Sequence, residues 1–157
     1  MQKKFNKILV ANRGEIAIRI FRACAELGIK SVGIYSKEDK YSLFRTKADE
    51  SYLIGEDKGP IDVYLDMDGI IALAKEKNVD AIHPGYGFLA ENSEFVRKCE
   101  ENGIAFIGPS ADIMDKMGDK INSKKVAHAS DVPTIPGVDK VIETYQSALD
   151  AWLAEQN

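Results

Sequence analysis

Short unbroken apolar runs alternate along this chain with longer stretches in which apolar residues recur every three or four positions. The run Lys7-Ile-Leu-Val-Ala11 is β-branched and lacks polar alternation, which predicts a strand buried on both faces. From Glu15 onward Ile16, Ile20, Cys24 and Leu27 keep helical spacing, and Gly28 stands where a helix C-terminus favours glycine. Further strands are predicted over residues 31–35, 51–54, 79–83 and 105–107, each bounded by turn residues. Between them a long helix follows Asp62 and turns Met67, Ile70, Ile71 and Ala74 inward. Its acidic start (Asp62, Asp66, Asp68) and basic end (Lys75, Lys77) suit the helix dipole. Another helix is predicted over residues 92–102, with Phe95 and Cys99 one turn apart, and a third over 110–129, with Ile113, Met117 and Ile121 inward.

Strand and helix in turn imply an α/β fold: a Rossmann-like open parallel sheet with helices on both faces and ligands at the carboxyl ends of its strands. Residues 1–130 form this domain on the sequence pattern. Val132-Pro-Thr-Ile-Pro-Gly137 then reads as an extended connector, because its prolines and glycine break helix. A final helix starts near Thr144 and carries Leu149, Trp152 and Leu153 on a small apolar face. Residues 131–157 are therefore expected to open a second domain.

With 157 residues and 45% hydrophobic content, the chain suffices for one compact core. Its 21 basic and 25 acidic residues give a net charge of -4, which offers no electrostatic reason to expect nucleic acid or an anionic membrane as partner. The apolar run at residues 8–11 is too brief for a signal-peptide core or a membrane span, so a cytoplasmic protein is expected. Cys24 and Cys99 lack C-x-x-C or Cys/His ligand spacing; they read as reduced core thiols, and no metal site is expected.

Three places could carry chemistry. The first strand-to-helix turn, Ala11-Asn-Arg-Gly-Glu15, has one glycine where a dinucleotide-binding turn needs three, and Glu15 puts a carboxylate where a pyrophosphate would sit. That argues against a nicotinamide- or flavin-dependent oxidoreductase, which requires a glycine-rich first turn. A flavodoxin-like receiver fails too, since Asn12-Arg13 stands where clustered aspartates are needed. The second place is His83-Pro-Gly-Tyr-Gly-Phe-Leu-Ala-Glu-Asn92, in which Pro84 and Gly85 force a tight turn and Gly87 permits close approach. Tyr86 and Glu91 then present polar groups at the sheet's functional edge. The alternative is a merely shaped loop with His83 a hydrogen-bonded core residue. Third, Lys120, Lys124 and His128 fall four residues apart on one helical face. They form either a solvated stripe or a place from which Lys120 reaches a phosphate across an interdomain cleft. No serine or cysteine nucleophile has a motif around it.

Taken together, Leu9-Val-Ala-Asn-Arg-Gly-Glu-Ile-Ala-Ile-Arg19, Ala48-Asp-Glu-Ser-Tyr-Leu-Ile-Gly55, Ala81-Ile-His-Pro-Gly-Tyr-Gly-Phe-Leu-Ala-Glu-Asn92, Phe106-Ile-Gly-Pro-Ser110 and Met117-Gly-Asp-Lys120 resemble the N-terminal, pre-ATP-grasp domain of biotin carboxylases. The stretch from Arg45 to Asn92 looks more like pyruvate carboxylases than acetyl-CoA carboxylases. The resemblance implies a reaction in which ATP and bicarbonate give carboxyphosphate, whose CO2 passes to a ureido nitrogen of biotin, and thence to pyruvate in the full enzyme. It maps ATP binding onto Lys120 and a place beside biotin onto Tyr86 and Gly87. The phosphate flap, magnesium carboxylates, bicarbonate site and catalytic arginine and glutamate belong to ATP-grasp segments expected after Asn157. No catalytic residue or metal ligand is thus assigned here, and the isolated chain is expected to bind ATP, magnesium and biotin weakly and not to turn over. The partners implied are those ATP-grasp domains, a biotin carrier domain, and a second copy of the chain through Arg19, Arg22 and Glu26 of the first helix. Arg22 before Glu26 is the weaker order for an intrahelical pair, so partners across a two-fold axis are expected. Two departures stand out: Val138-Asp-Lys140 in place of a glycine-containing run, and Ala90 where serine is common. The readings kept beside this one are a non-catalytic dimerisation or docking module and the same domain from an acetyl-CoA or other acyl-CoA carboxylase.

Overall fold

The computed structural model describes residues 5–118, 120–134 and 144–155, which fall into two compact units, residues 1–111 and 112–157. In the first unit five strands, β1 (Lys7–Val10), β2 (Lys30–Tyr35), β3 (Glu50–Leu53), β4 (Ala81–His83) and β5 (Ala105–Phe106), pair in the order β3-β2-β1-β4-β5. Every pairing is parallel. From β1 the chain winds outward through β2 and β3, then returns to lay β4 and β5 on the other side of β1. The reversal between β1 and β4 is the topological switch of an open α/β sheet, where a crevice forms at the strands' carboxyl ends.

Strand alternation divides the core in two. Leu9 and Ala11, with Val32, Ile34 and Ile82, enter the larger cluster, which also holds Ile70, Ala74, Phe95 and Cys99. Those last four come from α3 (Met67–Glu76) and α4 (Ser93–Glu101). Ile8, Val10 and Ala81 point the other way, towards α1 (Gly14–Glu26). Helices thus cover both faces, as the pattern predicts. The buried line of α1 runs through Ala17, Phe21 and Cys24: Cys24 is inward as expected, Ala17 and Phe21 take the place of the half-buried Ile16 and Ile20, and Leu27 is 72% exposed. The reason lies across the interface: a Cβ on Gly33 of β2 would stand 3.1 Å from the Phe21 ring, so the missing side chain is the socket for Phe21. Gly28 ends α1 with φ +67, as expected.

The single helix expected after Asp62 is two: α2 (Asp62–Leu65), which buries Val63 and Tyr64, and α3. Asp66 interrupts them at φ -76, ψ 80, and its carboxylate accepts the Gly69 N–H at 3.2 Å, capping α3. A mid-helix aspartate that can reach a backbone donor two or three residues on prefers the cap to the helix. Asn92 caps α4 in the same way, accepting from Phe95 N–H at 2.8 Å. Two 3-10 turns over Glu38–Tyr41 and Leu43–Lys47, which no periodicity announced, fill the span between β2 and β3.

The second unit holds α6 (Lys120–Ala129), α7 (Tyr145–Glu155) and nearly all of α5 (Ala111–Gly118). The helix expected over 110–129 is described on either side of residue 119, which lies outside the described residues. Ile113 and Met117, expected inward, are 48% and 52% exposed; Ala111 and Met114 are the buried pair, again one position round the helix. Ile121 is half-buried. The connector residues 135–143 and the side chain of Trp152 lie outside the described residues. On α7 Leu149 is half-buried and Leu153 is 48% exposed.

Removing the α3 cap tests the division of the helix. Asp66→Ala is expected to lower stability by about 1 kcal/mol in urea denaturation, whereas Asp66→Asn, which keeps an acceptor, retains most of it.

Candidate functional site at the carboxyl edge of the sheet

Asn12 lies two residues past the end of β1 and is 1% exposed. Its carboxamide nitrogen donates to the carbonyl oxygens of Pro84 at 2.7 Å and Tyr86 at 2.9 Å, and its oxygen accepts the Arg13 N–H at 2.9 Å. Both donors and the acceptor are used, so this polar group costs little where it is buried. Gly85 lies between the two carbonyls with φ +71, and a Cβ there would meet Asn12 at 2.6 Å and Ile16 at 2.7 Å. Glycine is required at this point. The crevice at the switch is closed by a side chain bound to backbone, at the place where other open sheets admit a pyrophosphate.

On the opposite face a second group reaches the same turn. Tyr64 of α2 is fully buried; its hydroxyl donates to Asp39 at 2.7 Å, and its ring stacks on Phe88 with centroids 5.1 Å apart. Asp39 is 5% exposed yet well partnered, because it also accepts from the Ser42 hydroxyl at 2.9 Å and lies 3.3 Å from the Arg13 guanidinium. Burial, then the Asp39 carboxylate, pushes the Tyr64 pKa well above that of a free phenol, so the hydroxyl stays a donor. Phe88 has φ +44, a conformation that bulky L-residues avoid.

The residues singled out from the sequence fall around this core. Tyr86 is 79% exposed, and Gly87, at φ +73, has open space where a Cβ would be, so the turn presents both to solvent. Glu91 is exposed as well. His83 is half-buried, its Nδ1 accepts the Gly85 N–H at 3.0 Å, and it lines an apolar groove of about 400 Å³ with Phe5, Ile8, Cys24, Ile29 and Ile107. Burial lowers its pKa. On α1, Arg19 pairs with Glu15 at 2.7 Å and Arg22 with Glu26 at 2.9 Å, all within the helix and all exposed. Lys120 opens α6 in the second unit, where Lys124 is half-buried and His128 is exposed, its Nε2 2.6 Å from the Thr134 hydroxyl. Cys24 and Cys99 are both buried; the Cys99 thiol is pushed up to about 12 by burial and a nearby glutamate, and so stays protonated.

Asn12, Asp39 and Tyr64 were not expected at the site. Asn12 had a signal, a polar residue closing an apolar strand, and Ser36 with Asp39 keeps the spacing of a capping box. Tyr64 had none, because a tyrosine beside Val63 reads as ordinary core.

These features define a Rossmann-like sheet with a buried asparagine bonded across its switch point, whose candidate surface is the turn after β4. The family model for the N-terminal domain of biotin carboxylase matches residues 4–114, and the chain belongs to that family. It is 58% identical over 146 residues to the pyruvate carboxylase of Bacillus subtilis (strain 168), covering 93% of this chain and 13% of that protein. A complete multifunctional pyruvate carboxylase from Rhizobium etli superposes with a TM-score of 0.82 at 51% identity, over 87% of this chain and 13% of that one. The biotin carboxylase domain dimer of Hydrogenobacter thermophilus 2-oxoglutarate carboxylase, in complex with MgADP, ADP and bicarbonate, gives a TM-score of 0.90 at 48% identity, over 99% of this chain and 33% of that one. The chain thus spans about an eighth of the curated relatives' length. Among the described residues no helix is long and apolar enough to cross a membrane.

The half-buried His83 should make stability depend on pH. Its folded pKa lies below the ordinary 6.5, so the folded state favours the neutral ring. Its contribution is fully present above about pH 6.5 and is lost as pH falls through the folded pKa. Protonation also removes the acceptor for Gly85 N–H. Urea midpoints taken between about pH 7.5 and about pH 5.5 should fall for the wild type and stay flatter for His83→Asn, which keeps an acceptor without the titration. Equal slopes for the two proteins would place the pH response elsewhere.

Proposed function

We propose that this chain supplies the first domain of an ATP-dependent biotin carboxylase within a cytoplasmic pyruvate carboxylase. The observation that carries this reading is the family match over residues 4–114, together with 58% identity to a pyruvate carboxylase along 93% of the chain. The reaction is carboxylation of biotin by ATP and bicarbonate, followed in the complete enzyme by carboxylation of pyruvate to oxaloacetate. On this reading residues 131–157 are the connector and first helix of the ATP-grasp region, whose further domains and biotin carrier are the chain's partners. Lys120 holds a phosphate of ATP as a point charge. Tyr86 and Gly87 lie beside biotin: an exposed aromatic ring next to a glycine with open space is a surface on which the planar ureido ring of the bent bicycle can rest. Magnesium supplies charge neutralisation at the phosphates when bound. Among the described residues no group of three or more His, Cys, Asp or Glu could hold a metal ion.

A charge-assisted phosphate contact is worth about 1.5–3 kcal/mol, so Lys120→Ala in the complete enzyme should raise the Michaelis constant for ATP by roughly ten- to a hundredfold. Unchanged ATP kinetics would leave Lys120 a surface lysine.

The same reading puts a two-fold contact on α1. The side chains of Arg22 and Glu26 are 80% and 65% exposed, and an exposed intrahelical pair of this order holds weakly enough to exchange partners. Arg22→Glu should weaken dimerisation in sedimentation of the complete enzyme, and adding Glu26→Arg should restore it, as isologous pairing requires. A single variant as dimeric as the wild type would remove this pair from the interface.

A further inference from the structure

The turn over residues 84–88 is built from unusually free backbone. Gly85, Gly87 and Phe88 have φ of +71, +73 and +44, and none of the five residues belongs to a helix or strand. Left to itself, such a glycine-rich segment samples many conformations. Two contacts from distant parts of the chain remove that freedom. Asn12 ties the carbonyls of Pro84 and Tyr86, and Tyr64 stacks beneath Phe88. Each is itself fixed: the Asn12 oxygen by Arg13 N–H, the Tyr64 hydroxyl by Asp39, and Asp39 by Arg13. Phe88 keeps a conformation unfavourable to its side chain, as a residue does when its surroundings over-determine it. Between the two ties stand the Tyr86 ring, 79% exposed, and Gly87, whose Cβ position faces open space.

We infer that Asn12 and Tyr64 are positioning residues for biotin, holding the 84–88 turn in one shape so that Tyr86 and Gly87 receive the bicyclic ring preformed. This rests on the reading that the turn lies beside biotin. Neither residue touches the ligand; each acts through the turn, sparing the ordering cost that a mobile loop would incur on binding.

The test is bicarbonate-dependent ATP cleavage by the complete enzyme, titrated with free biotin and, separately, with ATP. Phe88→Gly, Tyr64→Leu and Asn12→Asp each release one tie, the last because a carboxylate cannot donate to the two carbonyls. Each should raise the Michaelis constant for biotin about five- to tenfold and move that for ATP by less than about twofold. Tyr64→Phe keeps the stacked ring and should stay within about twofold of wild type for both. Phe88→Gly decides the matter if the other variants melt early, because glycine takes a φ of +44 without strain and the protein should stay folded. An unchanged biotin constant in folded Phe88→Gly, or biotin and ATP constants rising together, overturns the positioning role. A wild type whose ATP cleavage does not respond to free biotin overturns the underlying reading instead, and the positioning role with it.

Discussion

Where a parallel sheet reverses its winding, two turns leave neighbouring strands side by side, and their carbonyls must find donors or face water. Here the Pro84 carbonyl is buried and the Tyr86 carbonyl partly so; both are satisfied by the two N–H groups of one carboxamide, 72 and 74 residues away in sequence. Asparagine is the side chain that fits. Aspartate offers no donor when ionised, serine offers one, and glutamine is a methylene too long for a site in which a single Cβ on Gly85 would already clash. The residue type in the first turn is thus set by the loop after β4, and the empty crevice of other open sheets is exchanged for a fixed surface beside it.

The two ends of the sheet are both pinned by side chains, to different effect. At the amino end Asp80 accepts from Asn6 and Lys7 N–H groups at 2.7 and 3.0 Å, and Asp49 accepts from the N–H and hydroxyl of Ser31 at 2.8 and 2.7 Å. Those Ser31 bonds hold the Asp49 pKa below the ordinary carboxylate value. Lys7 also meets Glu50 of β3 at 2.9 Å, across β2. These ties fasten strand starts and expose nothing in particular. At the carboxyl end, Asn12, Asp39 and Tyr64 fasten turns, and the turns leave the Tyr86 ring and the Cβ side of Gly87 facing solvent. Rigidity serves the core at one end and presentation at the other.

The sequence made the strands and the sheet legible because parallel strands buried on both faces are nearly pure apolar runs; Leu9, Val10, Val32, Ile34 and Ile82 are all fully buried. It also announced the turn over 83–92, since Pro84, Gly85 and Gly87 signal unusual backbone directly. Helix faces were off by one position at Ala17 and Phe21, though not at Cys24, and at Ala111 and Met114, where an alanine that allows close approach carries little weight in a hydrophobic pattern. Asp66 was read as helix-start charge rather than as a cap because both roles want the same residue near the same place. Least legible were the partners of the turn. Nothing local in Asp39 or Tyr64 reveals that one holds the other beneath Phe88, for that relation exists only after β2, α2 and the β4 turn have been brought to one edge.

A surface of this kind also sets a limit on what the domain does alone. Asn12 occupies the switch point from within, and the exposed Tyr86 and open Gly87 beside it form a platform that a ligand meets from one side. Transfer of a phosphoryl group, and of CO2 from its reactive product, needs water kept away and donors on several sides of the developing charge. On the proposed reading those other walls come from further segments of the enzyme. The chain accounts for 33% of the biotin carboxylase domain it superposes on with a TM-score of 0.90. A platform that must be met by walls built elsewhere gains from being rigid before they close, since each degree of freedom left in the 84–88 turn would have to be removed again in every catalytic cycle. The buried Asn12 carboxamide and the Tyr64 ring stacked on Phe88 remove those freedoms once, at folding.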